Sequence, residues 1–366
     1  MKKRLVVLFG GRSGEHEVSL ESARSVLSVL DKDKYDIFPV GISHDGIWYS
    51  GAQVLEQLTS GLMEGLTRTT LLPEPGKPAL FKVENGELEL ISPVDIVFPV
   101  LHGTFGEDGT LQGLLELADL AYVGAGVLGS SVGMDKGVFK DVMRANNIPV
   151  VESLIILRSD IETGLDRFVS QIANTLGFPV FVKPANLGSS VGISKCLNPS
   201  DLGEGLLDAA RYDRRILVER GINAREIEVS VLGNDHPRAS VPGEVLPSRE
   251  FYSYESKYVD GTSGLIIPAP LPLAQAERIR DLAIQAFTAT DCSGMARVDF
   301  FIDRDDGAIY LNELNTLPGF TSISMYPKLW QATGLPFTKL VDTLIELALE
   351  RKSERDRTER RFRRSQ

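Results

Sequence analysis

A chain of 366 residues is long enough for two or three domains, and 43% hydrophobic with 24% charged residues is the balance of a globular protein with its own core. A net charge of −11 argues against nucleic acid as a partner, and no apolar run approaches the roughly 18 residues of a membrane span. Cys196 and Cys292 stand in no metal or redox spacing, and the four histidines are scattered, so free thiols in a reducing, cytoplasmic setting are expected and a zinc site is not.

Met1-Lys2-Lys3-Arg4 precedes an apolar run, Leu5 to Phe9, too short for a signal peptide; it reads as a first strand. A helix over 17–30 follows, then strands at 37–42 and 95–100 and a helix over 111–120. Strands alternating with helices predict a parallel sheet, and the polar turns after its strands, 10–15 and 101–103, are where such sheets bind ligands. Gly124-Ala125-Gly126-Val127-Leu128-Gly129 matches a dinucleotide fingerprint, but its strand is only three residues long and Asn146-Asn147 stand where an acidic residue belongs. Gly129-Ser130-Ser131-Val132-Gly133 and Gly188-Ser189-Ser190-Val191-Gly192 both match a nucleophile elbow. The second is followed by strand rather than helix, and no Asp and His complete the first, which speaks against a serine hydrolase.

Residues 134–146 read as a helix ended by Asn147-Ile148-Pro149, which puts a boundary near 125–150. Strands are predicted at 179–182, 192–196 and 216–219. Between the first two, Val182-Lys183-Pro184 leads into Asn186-Leu187-Gly188-Ser189-Ser190-Val191-Gly192, a glycine-serine loop whose N–H groups and hydroxyls suit phosphate beside a lysine. Residues 248–262, with four aromatics among charges, read either as a lid or as an irregular strand.

Strands at 227–232, 295–303 and 308–315 follow, the last two joined by Arg304-Asp305-Asp306-Gly307. A turn centred near 306 sets Asp299 opposite Glu313 and Arg297 opposite Asn315, with all four side chains on one face. Two carboxylates and an amide oxygen suit Mg²⁺ bound with nucleotide phosphates. The bland alternative is a solvated face with a cross-strand ion pair, which leaves the segment Asn315-Thr316-Leu317-Pro318-Gly319 unexplained. An amphipathic helix over 337–349 closes the fold, and the basic tail 351–366, with eight basic and three acidic residues, is expected to be disordered or a frayed helix end.

The ordered set Leu8-Phe9-Gly10-Gly11, Glu15-His16-Glu17-Val18-Ser19, Leu101-His102-Gly103, Gly106-Glu107-Asp108-Gly109, Met134-Asp135-Lys136, Val182-Lys183-Pro184, Gly188 to Gly192, Tyr254 to Tyr258, Arg297-Val298-Asp299 and Asn312 to Gly319 resembles the ATP-grasp superfamily and, within it, the D-alanine–D-alanine ligase family, from about residue 4 to 350. The resemblance implies an α/β ATP-grasp fold: an N-terminal parallel α/β domain (1–125), a central subdomain with the glycine-serine loop (126–220) and a C-terminal domain (221–350) with metal site and lid, the last two clamping ATP. It implies a cytoplasmic enzyme, expected to be a homodimer, that phosphorylates one D-alanine with ATP and two Mg²⁺ ions, for which Mn²⁺ is an expected substitute, and joins it to a second D-alanine for cell-wall synthesis. It further implies that Lys136, Lys183, Ser190, Glu219 and Glu226 hold the nucleotide, and that Asp299, Glu313 and Asn315 hold the metal. Glu15 and His102 fall at the first D-alanine, Lys257, Ser324 and Met325 at the second, Ser189 and Tyr258 in a network with Glu15, and Arg297 with the Gly319 N–H at the oxyanion. Met325 stands where the family often has leucine. Tyr258, where ester-forming relatives carry histidine, favours an amine acceptor over D-lactate; D-serine remains an alternative, as does a non-catalytic ATP- or peptide-binding module.

Overall fold

The computed structural model describes residues 2–188, 191–246 and 264–359. The run from Leu5 to Phe9 forms the middle of β1 (Lys3–Gly10), which pairs in parallel with β2 (Tyr35–Ile42) and β7 (Ile96–Pro99). Its residues are apolar on both faces because both are covered. Leu5, Val7 and Phe9 enter one core cluster and Val6 and Leu8 another. The parallel sheet predicted for this domain is therefore only part of the observed one. Four strands, β3 (Trp48–Ser50), β4 (Thr67–Leu71), β5 (Ala79–Glu84) and β6 (Glu87–Pro93), extend it as an antiparallel meander, and β8 (Ala121–Tyr122) closes the other edge, giving the order β6-β5-β4-β3-β2-β1-β7-β8. Helices α1 (His16–Val29), α2 (Val54–Ser60) and α3 (Thr110–Leu117) pack on this sheet.

Helices α4 (Val127–Met134) and α5 (Lys136–Ala145) lead into a four-stranded antiparallel sheet, in the order β11 (Ser194–Cys196), β10 (Val180–Pro184), β12 (Arg215–Arg220), β9 (Ser153–Leu157), covered by α6 (Arg158–Leu176) and α7 (Pro199–Tyr212). The glycines of 124–133 serve packing. A Cβ at Gly129 would lie 3.0 Å from Cys292 Sγ, and one at Gly133 would lie 3.2 Å from the Leu314 carbonyl oxygen, so α4 rests directly on the C-terminal sheet.

That third sheet is built on β13 (Ala224–Gly233), flanked by β15 (Gly243–Leu246) with β16 (Gly264–Ile266), by β17 (Gly294–Asp303) with β18 (Ile309–Asn315), and by the short β14 (Arg238–Ala239). Helix α8 (Leu273–Ala289) covers one face. After α9 (Met325–Ala332), the last helix, α10 (Phe337–Asp356), returns to the N-terminal sheet, where Leu340, Val341, Leu344 and Ile345 share a core with Leu5, Val7 and Phe98. The tail from Arg351, read as disordered or as a helix end, is helical through Asp356, and residues 360–366 lie outside the described residues. Its basic residues have partners far away in sequence. Arg351 donates to the Tyr122 carbonyl at 3.1 Å and to Ser293 Oγ at 2.7 Å, and its guanidinium lies 4.2 Å over the Tyr122 ring. Arg355 pairs with Glu116 and Asp119.

Candidate active site

One cavity lies where the three sheets meet. Glu15 and His102 reach it from the N-terminal domain, Lys136 and Gly188 from the centre, and Arg297, Glu313, Asn315 and Gly319 from the C-terminal domain. Glu15 precedes α1 but its carboxylate does not cap that helix. It lies instead between two loops: a Cβ at Gly103 would sit 2.7 Å from Glu15 Oε2, and one at Gly188 would sit 2.8 Å from it. The glycines at both positions thus leave the space that this carboxylate fills.

The hairpin pairs as strand alternation predicts, with Arg297 opposite Asn315 and Asp299 opposite Glu313. A bulge between Asp299 and Phe300 shifts the register only on the side toward the turn. Arg297 grips Asp299 with a fork, Nε to Oδ1 at 2.8 Å and Nη2 to Oδ2 at 2.6 Å. The Asn315 amide nitrogen donates to Asp299 Oδ2 at 3.1 Å and to Glu313 Oε1 at 3.5 Å. Among the described residues no three His, Cys, Asp or Glu side chains form a ready cage. The set is two carboxylates and one amide, whose oxygen faces the carboxylates after a half-turn. Those are hard oxygen donors, and they fit a Mg²⁺ ion that keeps several waters and phosphate oxygens.

Next to this patch is a chain of buried charges. Lys183 donates to Glu219 Oε2 at 2.7 Å, and Lys140 pairs with Glu219 Oε1; the Lys140 and Glu219 side chains are 2% and 3% exposed. Burial alone would raise the Glu219 carboxyl, but Lys140 and then Lys183 reverse this and hold it at about 2. Burial likewise lowers the Lys183 ammonium, and Glu219 with Glu313 and Glu226 more than restores it. Lys136 lies at the start of α5, whose N-cap Asp135 accepts from the N–H groups of Gly137 and Val138. Its ammonium donates to the Leu187 carbonyl at 2.7 Å, and burial lowers its pKa.

His102 is held at both ring nitrogens. Nδ1 donates to the Leu317 carbonyl at 2.8 Å, and Nε2 lies 3.0 Å from Ser22 Oγ, which itself accepts from the Phe320 N–H. With Nδ1 protonated, Nε2 is the acceptor, and burial keeps the ring below its ordinary pKa. Glu107 spans the same two segments, accepting from the Gly103 N–H at 2.8 Å and the Leu317 N–H at 3.0 Å. Burial, and then the Glu15 charge, push its carboxyl up to about 8.

Ser324 stands beside Gly319, where a Cβ would lie 2.7 Å from Ser324 Oγ. Met325, the next residue, is 5% exposed and packs with Val245 and Leu329. Glu226 lies on β13 and contributes to the field at Lys183. Ser189, Ser190, Lys257, Tyr258 and the stretch 248–262 lie outside the described residues. Lys140 and Ser22 are residues that sequence reasoning did not single out, and Glu107 stood there only within a motif, with no role given. Lys140 carried the one available signal, a lysine one helical turn after Lys136.

The N- and C-terminal models of the D-ala D-ala ligase family match residues 4–125 and 142–346. The chain is 49% identical over 357 residues to the D-alanine–D-alanine ligase of Heliobacterium modesticaldum, across 98% of this chain and 97% of that one. It is 51% identical over 358 residues to that of Thermoanaerobacter pseudethanolicus, across 97% and 99%. Among solved structures, the D-alanine–D-alanine ligase of Coxiella burnetii superposes with a TM-score of 0.83 at 39% identity, covering 97% of this chain and 96% of that one. The VanG D-Ala:D-Ser ligase of Enterococcus faecalis superposes at 0.85 and 36%, covering 95% and 100%. The architecture is thus the α/β fold of these ligases, and matches over nearly the full length of both partners leave one conclusion: the chain belongs to the D-ala D-ala ligase family.

Proposed function

We propose that this chain uses ATP and a divalent cation to join two D-alanine molecules through an acyl phosphate. The observation that carries the reading is the convergence on one cavity of Glu15, Lys136, Arg297, Glu313, Asn315 and the Gly319 backbone, from three separate parts of the chain. A carboxylate acylates poorly because its carbon is electron-rich and its leaving oxygen basic; phosphorylation removes both faults. Lys136 and Lys183 neutralise phosphate oxygens, with Ser190, Glu219 and Glu226 assigned to the same nucleotide site. Glu15 takes the ammonium of the first D-alanine, with His102 holding the segment beside it, and Ser189 and Tyr258 complete its network. Arg297 and the Gly319 N–H donate to the oxyanion that forms as the second amine attacks. Lys257, Ser324 and Met325 hold that second molecule. Asp299, Glu313 and Asn315 hold the metal, two Mg²⁺ ions with Mn²⁺ as a substitute, and the bound cation neutralises phosphate charge. The enzyme is assigned to the cytoplasm as a homodimer.

The likeness to a D-Ala:D-Ser ligase makes the acceptor the part to test. Phosphate release and product analysis with ATP, D-alanine and either D-serine or D-lactate should show D-alanyl-D-alanine as the dominant product. Glu313→Gln should raise the Mg²⁺ needed and lower turnover strongly. A preference for D-serine or D-lactate would overturn the acceptor assignment, and a Glu313→Gln enzyme with unchanged turnover at low Mg²⁺ would overturn the metal assignment.

A further inference from the structure

We propose that Glu228 is a positioning residue that takes over the Arg297 guanidinium when Asp299 turns to a divalent cation. The inference rests on the metal reading above and adds a residue outside that site. Glu228 is on β13, directly across from Asp299 on β17, and Arg297 is opposite Ser230, two residues further along. Glu228 is 7% exposed. Its Oε2 lies 3.0 Å from Arg297 Nε, so the guanidinium sits between two carboxylates.

The two contacts are unequal. An arginine Nε carries one hydrogen, and here it is given to Asp299 Oδ1 at 2.8 Å. The same guanidinium gives a second hydrogen to Asp299 Oδ2 at 2.6 Å, and Asn315 gives a third to that oxygen. Both oxygens of Asp299 are thereby occupied by donors, and a carboxylate in that state offers little to a cation. To ligate a metal, Asp299 has to release part of the fork. A buried guanidinium that loses its carboxylate is strongly destabilised unless another takes its place. Glu228 already stands within hydrogen-bonding distance of the same nitrogen, so transfer of the Nε hydrogen bond needs only a small reorientation. Arg297 then keeps a fixed anionic anchor while its terminal nitrogens stay directed toward the cavity. The exchange makes metal binding and arginine placement a single event.

The test is thermal stabilisation by Mg²⁺ at fixed, saturating ADP, with no turnover. The variants are Glu228→Gln, Glu228→Asp and Asp299→Asn. The Mg²⁺ response of each variant is read against its own melting temperature without Mg²⁺. In Glu228→Gln the half-maximal Mg²⁺ concentration should rise at least tenfold, the loss of one charge-assisted hydrogen bond being worth about that factor or more. In turnover at saturating Mg²⁺, kcat should fall about tenfold while the KM for ATP stays within about threefold. Glu228→Asp, which keeps the charge, should recover part of both losses and carries the test if the glutamine variant does not fold. An unchanged Mg²⁺ midpoint in Glu228→Gln, with Asp299→Asn losing the Mg²⁺ response, refutes the exchange alone. An Asp299→Asn protein with a wild-type midpoint refutes the metal reading, and the exchange with it.

Discussion

Lys140→Met isolates one link in the buried chain behind the phosphate lysines. Methionine fills the volume of the lysine stem and removes the ammonium, so little cavity is left. Glu219 then keeps one of its two partners, Lys183 at 2.7 Å. Removing one partner of a buried ion pair costs about 3–5 kcal/mol when the other is stranded, and the surviving lysine places this case near the lower end, about 3 kcal/mol. At about 1.3 °C per kcal/mol for a chain of 366 residues, the thermal midpoint at pH 7 should fall by about 4 °C. In the double variant Lys140→Met/Glu219→Gln the stranded charge is the Lys183 ammonium instead, so little of that loss should be regained. The pH dependence has a definite sign. Glu219 is held at about 2 in the folded protein, below its ordinary value, so its stabilisation is present above pH ~4.3 and is lost as pH falls through about 2. The gap between wild type and Lys140→Met should therefore be widest above pH ~5 and narrow steadily in acid. Differential scanning fluorimetry from pH 3 to 8 measures it. An unchanged midpoint at pH 7, or a gap of equal size at pH 3 and pH 7, would show that the Lys140–Glu219 pair does not carry this stability.

Gly188→Ala places a methyl group 2.8 Å from Glu15 Oε2, the far end of a flexible side chain, so the carboxylate should swing away; kcat/KM for the first substrate should fall tenfold or more with the melting temperature within about 2 °C of wild type, and equal kinetics would remove Glu15 from the substrate site. Arg297→Ala should lower kcat by about 10²–10³, the usual effect of losing an oxyanion donor, while the protein stays folded; turnover within tenfold of wild type would exclude that role. Because Glu107 is pushed up to about 8, the folded protein holds a proton there that the unfolded chain releases above pH ~4.3, so this group's stabilisation is lost as pH rises through about 8. Glu107→Gln should flatten that decline in urea midpoints between pH 6 and 9, and an identical slope would contradict it.

The hairpin was legible because two local rules suffice for it: alternation along a strand and a polar turn at 304–307. The bulge lies between the turn and Asp299, so it left the pairs at 297–315 and 299–313 intact. The meander of 48–93 was not legible. Its strands are short, and β6 is exposed at nearly every position, which leaves no inward-outward contrast to read. The charge chain Lys140–Glu219–Lys183 joins residues up to 79 positions apart, and the two carboxylates flanking Arg297 come from neighbouring strands. No local spacing encodes either. The order of the tail as far as Asp356 was hidden for the same reason. Its composition suggests disorder, but Glu116, Asp119 and three backbone carbonyls far upstream give Arg351 and Arg355 partners.

The return of α10 to the first sheet has a consequence for biosynthesis. Leu5, Val7, Phe9 and Phe98 leave the ribosome early, yet the side chains that complete their core, Leu340 to Ala348, are translated more than 230 residues later. Until then the part of that sheet face not covered by α1 and α2 is open to water or to whatever binds nascent apolar chains. The first domain therefore cannot finish folding as a vectorial unit, and a ribosome that stalls before residue 337 holds a chain that quality-control machinery can tell from the finished one.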